Sequence, residues 1–517
     1  MKYKRLISFL TCGMLIASLC SCSKKENLQT NSEKSLTHKI CDEPLELSLF
    51  AREFEAYNDQ NVWIGAYDKT NVLLKPTLPA NTSNMDRELA LAIAAKEVPD
   101  VVYDWSRDNF NKYGSQGVLI PLNDLIDHHA PNYKKFLEQN PDIKYFSTAA
   151  DGNIYFIPFI RDGNASTGWF IRRDWLDKLG LEAPNNLQEF YDVMVAFKQR
   201  DPNGNGKSDE VPYFGGRADF GGLLSLFNVR TGFGYSNGKV SFGPLDDGFP
   251  HAISQISKWY REGLIDPEIF TRIDGKNYFT SSNTGGITHD WLGSTAKRND
   301  ALQESIPGFN LVVFAPPEGI DGVRREERRR GRVSTEGWGI SSSNKHPVET
   351  IKYFDFWFTK EGRRMANFGI EGVHYDVVNG RAVFKDSVLQ GEVEVTELMN
   401  NLRSYINFGY WQDYSYEDQW INQVARNGLE MYIKGDYLPK PIEQPSLNYL
   451  DNEQRRNLLN GQITSFVEES IQKWVLGKEN IETNYNQFVE KLKSLGVDEY
   501  IAIEQKAYDN YLSQVAG

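Results

Sequence analysis

The segment from residue 201 to residue 212 carries the sharpest chemical signal in the sequence, because oxygen-bearing side chains recur in it at alternate positions. It reads Asp-Pro-Asn-Gly-Asn-Gly-Lys-Ser-Asp-Glu-Val-Pro, and its first nine positions match a calcium loop of the EF-hand type. Gly206 stands where such loops turn sharply. The expected ligands are the side chains of Asp201, Asn203, Asn205, Asp209 and Glu210 and the backbone carbonyl of Lys207.

The loop departs from the EF-hand pattern at position 12, where Pro212 replaces the usual bidentate glutamate. The ligand shell must therefore close earlier, at Asp209 and Glu210. An extracellular calcium site of this type is a structural element, because ambient calcium keeps it saturated. The alternative is a metal-free turn rich in Asn and Asp, which the same residues also favour.

Catalytic metal and cysteine motifs are absent from the sequence. It has seven histidines but neither HExxH nor a paired CxxC, so no zinc site is legible. Carboxylates are too abundant for one pair to stand out as a glycosidase couple. An enzyme is therefore the less favoured class of protein.

Aromatic side chains in polar surroundings point to a carbohydrate ligand. The chain has 11 Trp and 26 Tyr residues, and several stand among small or charged neighbours: Trp291, Trp338, Trp411, Tyr416 and Trp420. Aromatic faces cover the C–H faces of sugar rings, while polar side chains bind the hydroxyl groups. The alternative is that each tryptophan side chain packs in a hydrophobic core.

Strand-like and helical segments alternate along the chain, which is the pattern of an α/β protein with more helices than strands. The clearest strand predictions are residues 45–50, 101–103, 154–160 and 311–314. At 517 residues, the chain is too long for one core, so we expect two lobes.

Two helices can be predicted in detail. Asn186 is a helix N-cap with Glu189 three residues later, and Phe190, Val193, Met194 and Phe197 fall on one face. A second helix begins at Pro347, buries Ile351, Phe354 and Phe358, and is expected to stop at Gly362.

The N-terminus has the pattern of an export signal. Lys2, Lys4 and Arg5 precede a short apolar run at residues 6–19, which fits a secretory signal better than a membrane span. The following Leu-Cys-Ser-Cys resembles the lipobox of bacterial lipoproteins, so we expect residues 1–21 to be removed and Cys22 to carry the lipid. Residues 22–43 then form a lipidated tether. The alternative is an ordinary cleaved secretory signal.

Charge and cysteine content exclude further classes. The net charge is −13, and removing the three cations of the leader takes it to −16, which disfavours a nucleic-acid partner. With Cys12 and Cys20 in the leader and Cys22 lipidated, Cys41 has no partner, so a disulfide framework is excluded.

Several longer segments carry a family resemblance. They are DWLDKLGL at 174–181, FKQRDPNGNGKSDE at 197–210 and NFGIEGVHY at 367–375. These resemble family 1 extracellular solute-binding proteins. DGNIYFIP at 151–158, GITHDW at 286–291 and GYWQDYSYE at 409–417 are similar to the alginate-oligosaccharide-binding proteins of ABC importers.

The resemblance implies a type II periplasmic-binding-protein fold, in which two α/β lobes are joined by hinge strands and hold the ligand between them. We expect lobe 1 to comprise residues 44–162 and 285–345, and lobe 2 to comprise residues 163–284 and 346–517. The resemblance also implies a monomer that delivers its ligand to the transmembrane subunits of an ABC importer, outside the cytoplasmic membrane.

Carried over by position, the resemblance assigns the calcium ligands to the six residues already named. It assigns sugar contacts to Trp291, Tyr416, Glu417 and Trp420, with Arg52 matching a basic residue used on uronate carboxylates. Two further ligand contacts are expected at Tyr155 and His289.

The expected ligand is a uronate-containing oligosaccharide of the alginate type. Because the chain is acidic overall, a local basic lining must attract such an anion, and the candidates are Arg161, Arg172, Arg173 and the run from Arg324 to Arg330. A solvated loop is the other interpretation of that run. Glycosaminoglycan fragments and neutral oligosaccharides are alternative ligands. An adhesin, or a lyase or glycosidase with His289 or Tyr416 as its base, is an alternative function.

Overall fold

The computed structural model describes residues 38–51, 61–77, 84–272 and 275–515. Arg52, the leader and Cys22 lie outside these residues. The described strands are β1 Leu45–Phe50, β2 Val72–Thr77, β3 Val101–Asp104, β4 Ile157–Arg161, β5 Thr167–Arg172, β6 Val211–Tyr213, β7 Phe233–Ser236, β8 Lys239–Phe242, β9 Gly285–Trp291, β10 Leu311–Phe314, β11 Val333–Ile340, β12 Tyr375–Val378, β13 Arg381–Phe384 and β14 Trp411–Gln412.

The helices make up the larger part of the described chain. They are α1 Val62–Thr70, α2 Met85–Ala95, α3 Arg107–Ser115, α4 Asn123–His129, α5 Pro131–Gln139, α6 Pro141–Ser147, α7 Arg173–Leu179, α8 Leu187–Gln199, α9 Phe220–Ser225, α10 Phe249–Arg261, α11 Gly275–Ser281, α12 Leu292–Gln303, α13 Pro347–Phe356, α14 Lys360–Phe368, α15 Asp386–Leu389, α16 Val395–Leu402, α17 Tyr414–Trp420, α18 Gln423–Lys434, α19 Glu453–Val475, α20 Ile481–Ser494 and α21 Val497–Val515. None of the described helices is long and apolar enough to cross a membrane.

The first sheet has the strand order β14-β4-β11-β3-β1-β2. Strands β1, β2 and β3 are parallel, and β11 runs antiparallel to both β3 and β4. Asp104 pairs with Gly337 and Ile160 with Val333. The carboxyl ends of β1, β3 and β4 therefore share one end of the sheet with the start of β11, and we call this end the first cleft edge.

The second sheet has the strand order β10-β5-β9-β6. Strand β5 is antiparallel to both of its neighbours, with Thr167 opposite Trp291 and Trp169 opposite Phe314, while β6 is parallel to β9. The ends of β6, β9 and β10 therefore meet the start of β5, and we call this end the second cleft edge.

Three crossing segments connect the two sheets at these edges. The first, residues 162–166, joins β4 to β5, and the second, residues 315–332, joins β10 to β11. The third, residues 413–422, leads from β14 in the first sheet to α18, which packs against α12 and β10. Because the first segment is short, the two cleft edges lie close together. The expected two-lobe α/β fold is confirmed.

Each sheet has its own hydrophobic core. Trp338 of β11 is fully buried in the first core and stacks on Phe354 with 4.2 Å between ring centroids. Trp169 and Ile171 of β5 are buried in the second core, together with side chains of α8, α10, α19 and α20. Trp338 is thus a core residue despite its polar sequence neighbours.

Strand pairing corrects the expected lobe boundaries. Strands β9 and β10 pair with β5, so residues 285–314 belong with the second sheet and not with lobe 1. Helices α13 and α14 and strand β14 pack on or join the first sheet, so this part of 346–517 does not belong with lobe 2. The pattern of one strand does not specify which sheet it joins, because that depends on contacts distant in sequence.

One predicted helix is confirmed and the other is wrong at its end. Asn186 caps α8 by accepting a hydrogen bond from the backbone N–H of Glu189 at 2.9 Å, and the predicted apolar face is buried. Helix α13 ends at Phe356, and Gly362 lies in the first turn of α14. A Cβ at Gly362 would stand 2.1 Å from the carbonyl oxygen of Phe356, so glycine permits a close approach there rather than a helix stop.

Candidate ligand-binding cleft and metal loop

Trp291 ends β9 at the second cleft edge, where its ring is partly exposed. The Arg328 guanidinium group, from the second crossing segment, lies 5.8 Å from the centroid of this ring. A cation at this distance is attracted to the electron-rich face of the indole. The two side chains together offer an apolar face and a positive charge at the same place.

Helix α17 presents two of the expected ligand contacts from the third crossing segment. Glu417 is 8% exposed and accepts hydrogen bonds from both terminal nitrogens of Arg330 and, at 2.9 Å, from the Gln412 side chain. Trp420 is partly exposed, with the Lys297 ammonium group 5.0 Å from its ring centroid. The carboxylate is thus already bound by protein groups, whereas the indole remains accessible.

Tyr416 is a core residue in the described structure. It is 4% exposed, and its ring packs edge-on against those of Phe368, Phe384 and Trp420. Burial raises the pKa of its hydroxyl group well above the usual range. It supports Trp420 from behind and does not present its own ring to the cleft.

His289 is buried beneath the second cleft edge and is not exposed to a ligand. Its Nε2 lies 2.9 and 3.1 Å from the two carboxylate oxygens of Glu326, and its ring packs on Trp169 at 4.8 Å. Burial alone would lower its pKa, but the Glu326 charge and hydrogen bond prevail and raise it to about 9. A Cβ at Gly222 would stand 2.8 Å from the imidazole, so glycine allows this close packing.

Tyr155 lies outside the cleft. It precedes β4, at the opposite end of that strand from Arg161, and it is 3% exposed. Its hydroxyl group donates to Asp151 at 2.5 Å. The expected ligand contact at Tyr155 is therefore wrong, because Tyr155 lies at the end of β4 that is opposite the first cleft edge. Arg52 lies outside the described residues.

Arg161 ends β4 at the first cleft edge. None of the described Asp or Glu residues lies within ion-pair distance of it, and its buried Nε has no hydrogen-bond partner. Burial, and then the nearby charge of Arg330, lowers the pKa of its guanidinium group. A cation held beside another cation in this way favours an anion at the same place.

Two of the other basic candidates are structural. Arg172 is buried and forms an ion pair with Asp174 at 2.6 Å. Arg173 is bound to Asp177 at 2.8 Å and to Glu182 at 3.1 Å on the surface of α7. Neither is available to a ligand in the cleft.

The arginine run lines a large cavity rather than a freely solvated loop. The cavity has a volume of about 1400 Å³ and is formed by side chains from residues 217–246, 323–331, 436–445 and 468–472, with Phe270. Arg324 and Arg325 are paired with Glu318 and Asp321. Arg328 has no acidic partner among the described residues, and it connects this cavity to Trp291.

The wall of this cavity carries both signs of charge. Basic groups such as Arg230 and Lys440 alternate with acidic groups such as Asp246 and Glu327. Burial raises the pKa of Glu327, although the nearby His289 charge opposes this shift. A wall of this kind can bind many hydroxyl groups and, at its arginines, carboxylate groups.

Two side chains at the cleft were not predicted from the sequence. Trp105 follows β3 at the first cleft edge and is 51% exposed. Lys297 lies beside Trp420. A signal for Trp105 was present, because it comes two residues after the predicted strand at 101–103. No sequence signal indicated Lys297, because its position depends on the packing of α12 beside α17.

The expected calcium loop has the predicted turn. Asp201 accepts hydrogen bonds from the backbone N–H groups of Gly204 at 2.9 Å, Asn205 at 3.1 Å and Gly206 at 3.0 Å. Gly206 has a φ of 74°, in the left-handed region that glycine favours. The side-chain amides of Asn203 and Asn205 donate to Asp209.

Glu210 is the loop residue whose carboxylate a bound cation would stabilise most. It is 1% exposed, and neither of its carboxylate oxygens has a hydrogen-bond partner. Burial raises its pKa, and the nearby charges of Asp201 and Asp209 raise it further. Among the described residues, no group of three or more His, Cys, Asp or Glu side chains is arranged to hold a metal ion. The three carboxylates of the expected donor set, those of Asp201, Asp209 and Glu210, are therefore not gathered around one point in the described structure.

The two sheets, their three crossings and the aromatic cleft between them define a two-lobe binding protein. The family of bacterial extracellular solute-binding proteins matches residues 59–364. The chain belongs to this family.

Three relatives give the comparison more detail. The crystal structure of the alginate-binding protein AlgQ2 without calcium ion is 37% identical and covers 91% of this chain and 99% of that chain, with a TM-score of 0.78. The fructooligosaccharide ABC transporter substrate-binding protein FusA of Streptococcus pneumoniae is 27% identical over 478 residues, which is 81% of this chain and 82% of FusA. The polygalacturonan/rhamnogalacturonan-binding protein YtcQ of Bacillus subtilis is 25% identical over 333 residues, which is 59% of this chain and 62% of YtcQ.

Proposed function

We propose that this chain is the substrate-binding protein of an ABC importer and that it captures short uronate-containing oligosaccharides of the alginate type between its two sheets. The observation that carries the proposal is a pair of arginines that have no acidic partner among the described residues, Arg161 at the first cleft edge and Arg328 beside Trp291. A uronate carboxylate bound there supplies the missing negative charge.

Electrostatics favour an anionic ligand at this point even though the chain is acidic overall. A guanidinium group binds a carboxylate through paired N–H donors, and such charge-assisted bonds are stronger than those between neutral groups. Burial of Arg161 costs desolvation free energy, and none of the described acidic side chains forms an ion pair with it to offset that cost. A bound carboxylate offsets that cost, whereas a neutral hydroxyl group offsets much less of it.

Aromatic side chains and cavity size favour a sugar chain over a single small molecule. Trp291 and Trp420 each present a partly exposed ring with a cation beside it. The adjoining cavity, at about 1400 Å³, exceeds the roughly 300–1,000 Å³ of most small-molecule sites. An oligomer can extend from Trp291 past Arg328 into this cavity.

Two relatives support an acidic oligosaccharide as the ligand, and one supports a neutral oligosaccharide, which is the second candidate. AlgQ2 is named for alginate and YtcQ for polygalacturonan, and both polymers contain uronate residues. FusA is named for neutral fructooligosaccharides, and the mixed charge of the cavity wall also suits a neutral oligosaccharide. Glycosaminoglycan fragments also contain uronates and are the alternative acidic ligand for the same arginines.

Ligand capture is proposed to close the two lobes. Each lobe contributes to the cleft, and three crossing segments connect the sheets, so a rotation about these segments brings the edges together. A ligand that contacts Arg161 and Trp291 together favours the closed state, because it binds that state more tightly. The importer subunits then recognise the closed form.

An enzyme acting on the same sugars is disfavoured by the state of its candidate bases. With a pKa of about 9, His289 is protonated at neutral pH, and it is buried against Glu326. Tyr416 is buried in the core. The sequence Gly-Tyr-Ser-Asn-Gly at 234–238 has the spacing of a hydrolase nucleophile turn, but it forms the β7–β8 hairpin rather than a strand-to-helix turn.

The loop at 201–210 is proposed to bind a structural calcium ion. Glu210, with its two unpartnered oxygens, would bind the ion together with the other five expected ligands. The bound ion would neutralise the carboxylates and fix the turn after α8. The loop lies between α8 and β6, and the ion takes no part in ligand capture.

Residues 1–22 are proposed to place the protein outside the cytoplasmic membrane, with residues 1–21 removed and a lipid on Cys22. The mature protein is then a monomer tethered to the membrane by its acyl chains, which are a weak anchor singly and a stable one together.

A thermal-shift panel tests the proposed ligand class. Alginate oligomers, chondroitin fragments, fructooligosaccharides and maltodextrins are added to the mature protein with calcium present. We expect the uronate oligomers to raise the unfolding temperature most. A larger shift with the neutral sugars would contradict the proposal. Ultraviolet detection of unsaturated products in the same mixtures would reveal a lyase.

A further inference from the structure

Glu326 is a buried carboxylate in the second crossing segment, two residues before Arg328. It is 3% exposed and accepts hydrogen bonds from the His289 ring at 2.9 Å and from the Thr167 hydroxyl group at 2.6 Å. It also accepts from two backbone N–H groups of its own turn, those of Glu327 at 2.9 Å and Arg328 at 3.2 Å. A buried carboxylate with this many donors is a fixed point of the structure.

Backbone hydrogen bonds hold the same turn from two sides. The backbone N–H of Thr167 donates to the carbonyl of Arg328 at 3.2 Å. The backbone N–H of Glu326 donates to the carbonyl of Tyr437, which follows α18, at 2.7 Å. The turn at residues 326–328 is therefore fixed between β5 and the chain after α18.

The spacing of this turn matches the spacing of β9. His289 and Trp291 stand two residues apart on β9, and because side chains alternate along a strand, both lie on the same face of the second sheet. Glu326 and Arg328 are also two residues apart and meet them in the same order. The Glu326 carboxylate bonds to His289, and the Arg328 guanidinium group lies 5.8 Å from the centroid of the Trp291 ring.

The Arg328 side chain depends on this turn for its position. It is exposed, and among the described residues it has neither an acidic partner nor a side-chain hydrogen bond. A long side chain of this kind loses conformational entropy when it binds a ligand. A fixed backbone beneath it reduces the number of conformations that it has to give up.

We propose that Glu326 is a positioning residue for ligand capture, which fixes the turn so that Arg328 faces the carboxylate of a bound uronate. His289 and Thr167 anchor Glu326 to the second sheet. Glu326 is buried and does not itself contact the ligand. This proposal rests on the proposed function, since it takes Arg328 to bind a uronate carboxylate beside Trp291.

The direction of the effect separates positioning from simple electrostatics. Through space, the negative charge of Glu326 repels a carboxylate, so removal of that charge alone would tighten uronate binding. As an anchor, Glu326 favours binding, and its removal weakens binding because Arg328 is displaced. The two effects thus have opposite signs.

Calorimetric titration of the mature, calcium-loaded protein tests the proposal. The ligands are a short alginate oligomer and the same oligomer after reduction of its carboxylates to alcohols. Glu326→Leu removes every hydrogen bond of the carboxylate, and we expect it to weaken binding of the uronate oligomer about tenfold. Binding of the reduced oligomer should stay within about threefold. Glu326→Gln keeps one oxygen for Thr167 and the turn, and should retain uronate affinity within about threefold.

A double-variant cycle shows whether Glu326 acts through Arg328. In the Arg328→Gln background, Glu326→Leu should weaken uronate binding by less than about twofold more, because the group that it positions is already absent. Thr167→Val disturbs the same anchor more mildly, with an expected loss of about threefold and the same non-additivity. It provides the test if Glu326→Leu does not fold.

Asp355→Leu is the matched control. Asp355 is a buried carboxylate of the first lobe, 6% exposed, and accepts from the backbone N–H of Tyr133 and the side chain of Asn132, both at 2.7 Å. Its loss should lower the unfolding temperature but leave the ratio of the two affinities unchanged. A purely structural role of Glu326 would give the same result in Glu326→Leu.

Several results would overturn the proposal. Undiminished or tighter uronate binding in Glu326→Leu, equal losses for the two oligomers, or additive losses in the cycle would each remove the positioning role and leave the proposed function standing. Failure of the unaltered protein to bind any oligosaccharide would remove the proposed function as well.

Discussion

Arg330 binds the carboxylate of Glu417 with both terminal nitrogens, and so ties the second crossing segment to the third. Both side chains are largely buried, at 15% and 11% exposure. Arg330 also donates to the backbone carbonyl of Asp162 in the first crossing segment at 3.0 Å. One guanidinium group thus holds together all three connections between the lobes.

Arg330→Met should destabilise the protein strongly. The substitution leaves the Glu417 carboxylate buried without its charged partner, which costs about 3 kcal/mol in the free energy of unfolding. Chemical denaturation measures the loss. In the control Arg325→Met, which removes a partly exposed pair with Asp321, the expected cost is within about 1 kcal/mol. Equal effects of the two substitutions would show that the Arg330–Glu417 pair stabilises the folded protein no more than the surface pair does.

Arg161→Gln and Arg328→Gln should each weaken binding of uronate oligomers by about 10- to 100-fold, the value of a hydrogen bond to a charged group. Affinity for any neutral oligosaccharide should change little, because only a carboxylate needs the positive charge. Arg173→Gln serves as the control, since that side chain is paired on the surface of α7. Equal losses of affinity for charged and neutral ligands would contradict the assignment of these two arginines to a uronate carboxylate.

Removing calcium should destabilise the protein. At a free calcium concentration about a hundredfold above the dissociation constant, bound ion contributes about 3 kcal/mol. Addition of a chelator should then lower the unfolding temperature by several degrees. Glu210→Gln should abolish most of that response, because it removes the buried carboxylate of the loop. The exposed Glu182→Gln should leave the response intact. A chelator without effect on the unaltered protein would contradict the site.

Stability should fall on the alkaline side because of His289. Its pKa is raised from an ordinary 6.5 to about 9 in the folded protein. The stabilisation is therefore fully present below about pH 6.5 and is lost as the pH rises through 9. The loss should approach about 3 kcal/mol. Denaturation midpoints measured across this range should show the decline, and His289→Gln should flatten it. An equal decline in that variant would assign the effect to other groups.

Local features of this protein could be predicted from the sequence. The turn at Gly206 and the cap at Asn186 depend on neighbours within a few residues, and both are confirmed. The family resemblance also gave the two-lobe fold correctly. Trp291 and Trp420 were predicted to contact sugar, in part because small and charged neighbours surround them in sequence, and both are partly exposed in the structure.

Features that depend on distant contacts could not be predicted in this way. Strand β9 has the same pattern whichever sheet it joins, so the lobe boundaries were wrong. His289 has polar neighbours in sequence and Tyr155 lies in the predicted strand at 154–160, and each is buried by residues from other elements, such as Glu326 and Gly114. The burial of Arg161 beside Arg330 also arises only when β4 and the second crossing segment meet.

The central claim is that the cleft selects a carboxylate-bearing sugar chain. Calorimetric titration of the mature, calcium-loaded protein with an alginate oligomer and with the same oligomer after chemical reduction of its carboxylates to alcohols tests it most directly. The account predicts tight binding of the uronate oligomer and at least tenfold weaker binding of its reduced form, with the difference abolished in the Arg161→Gln/Arg328→Gln double variant. Equal affinity of the unaltered protein for the two oligomers would contradict it.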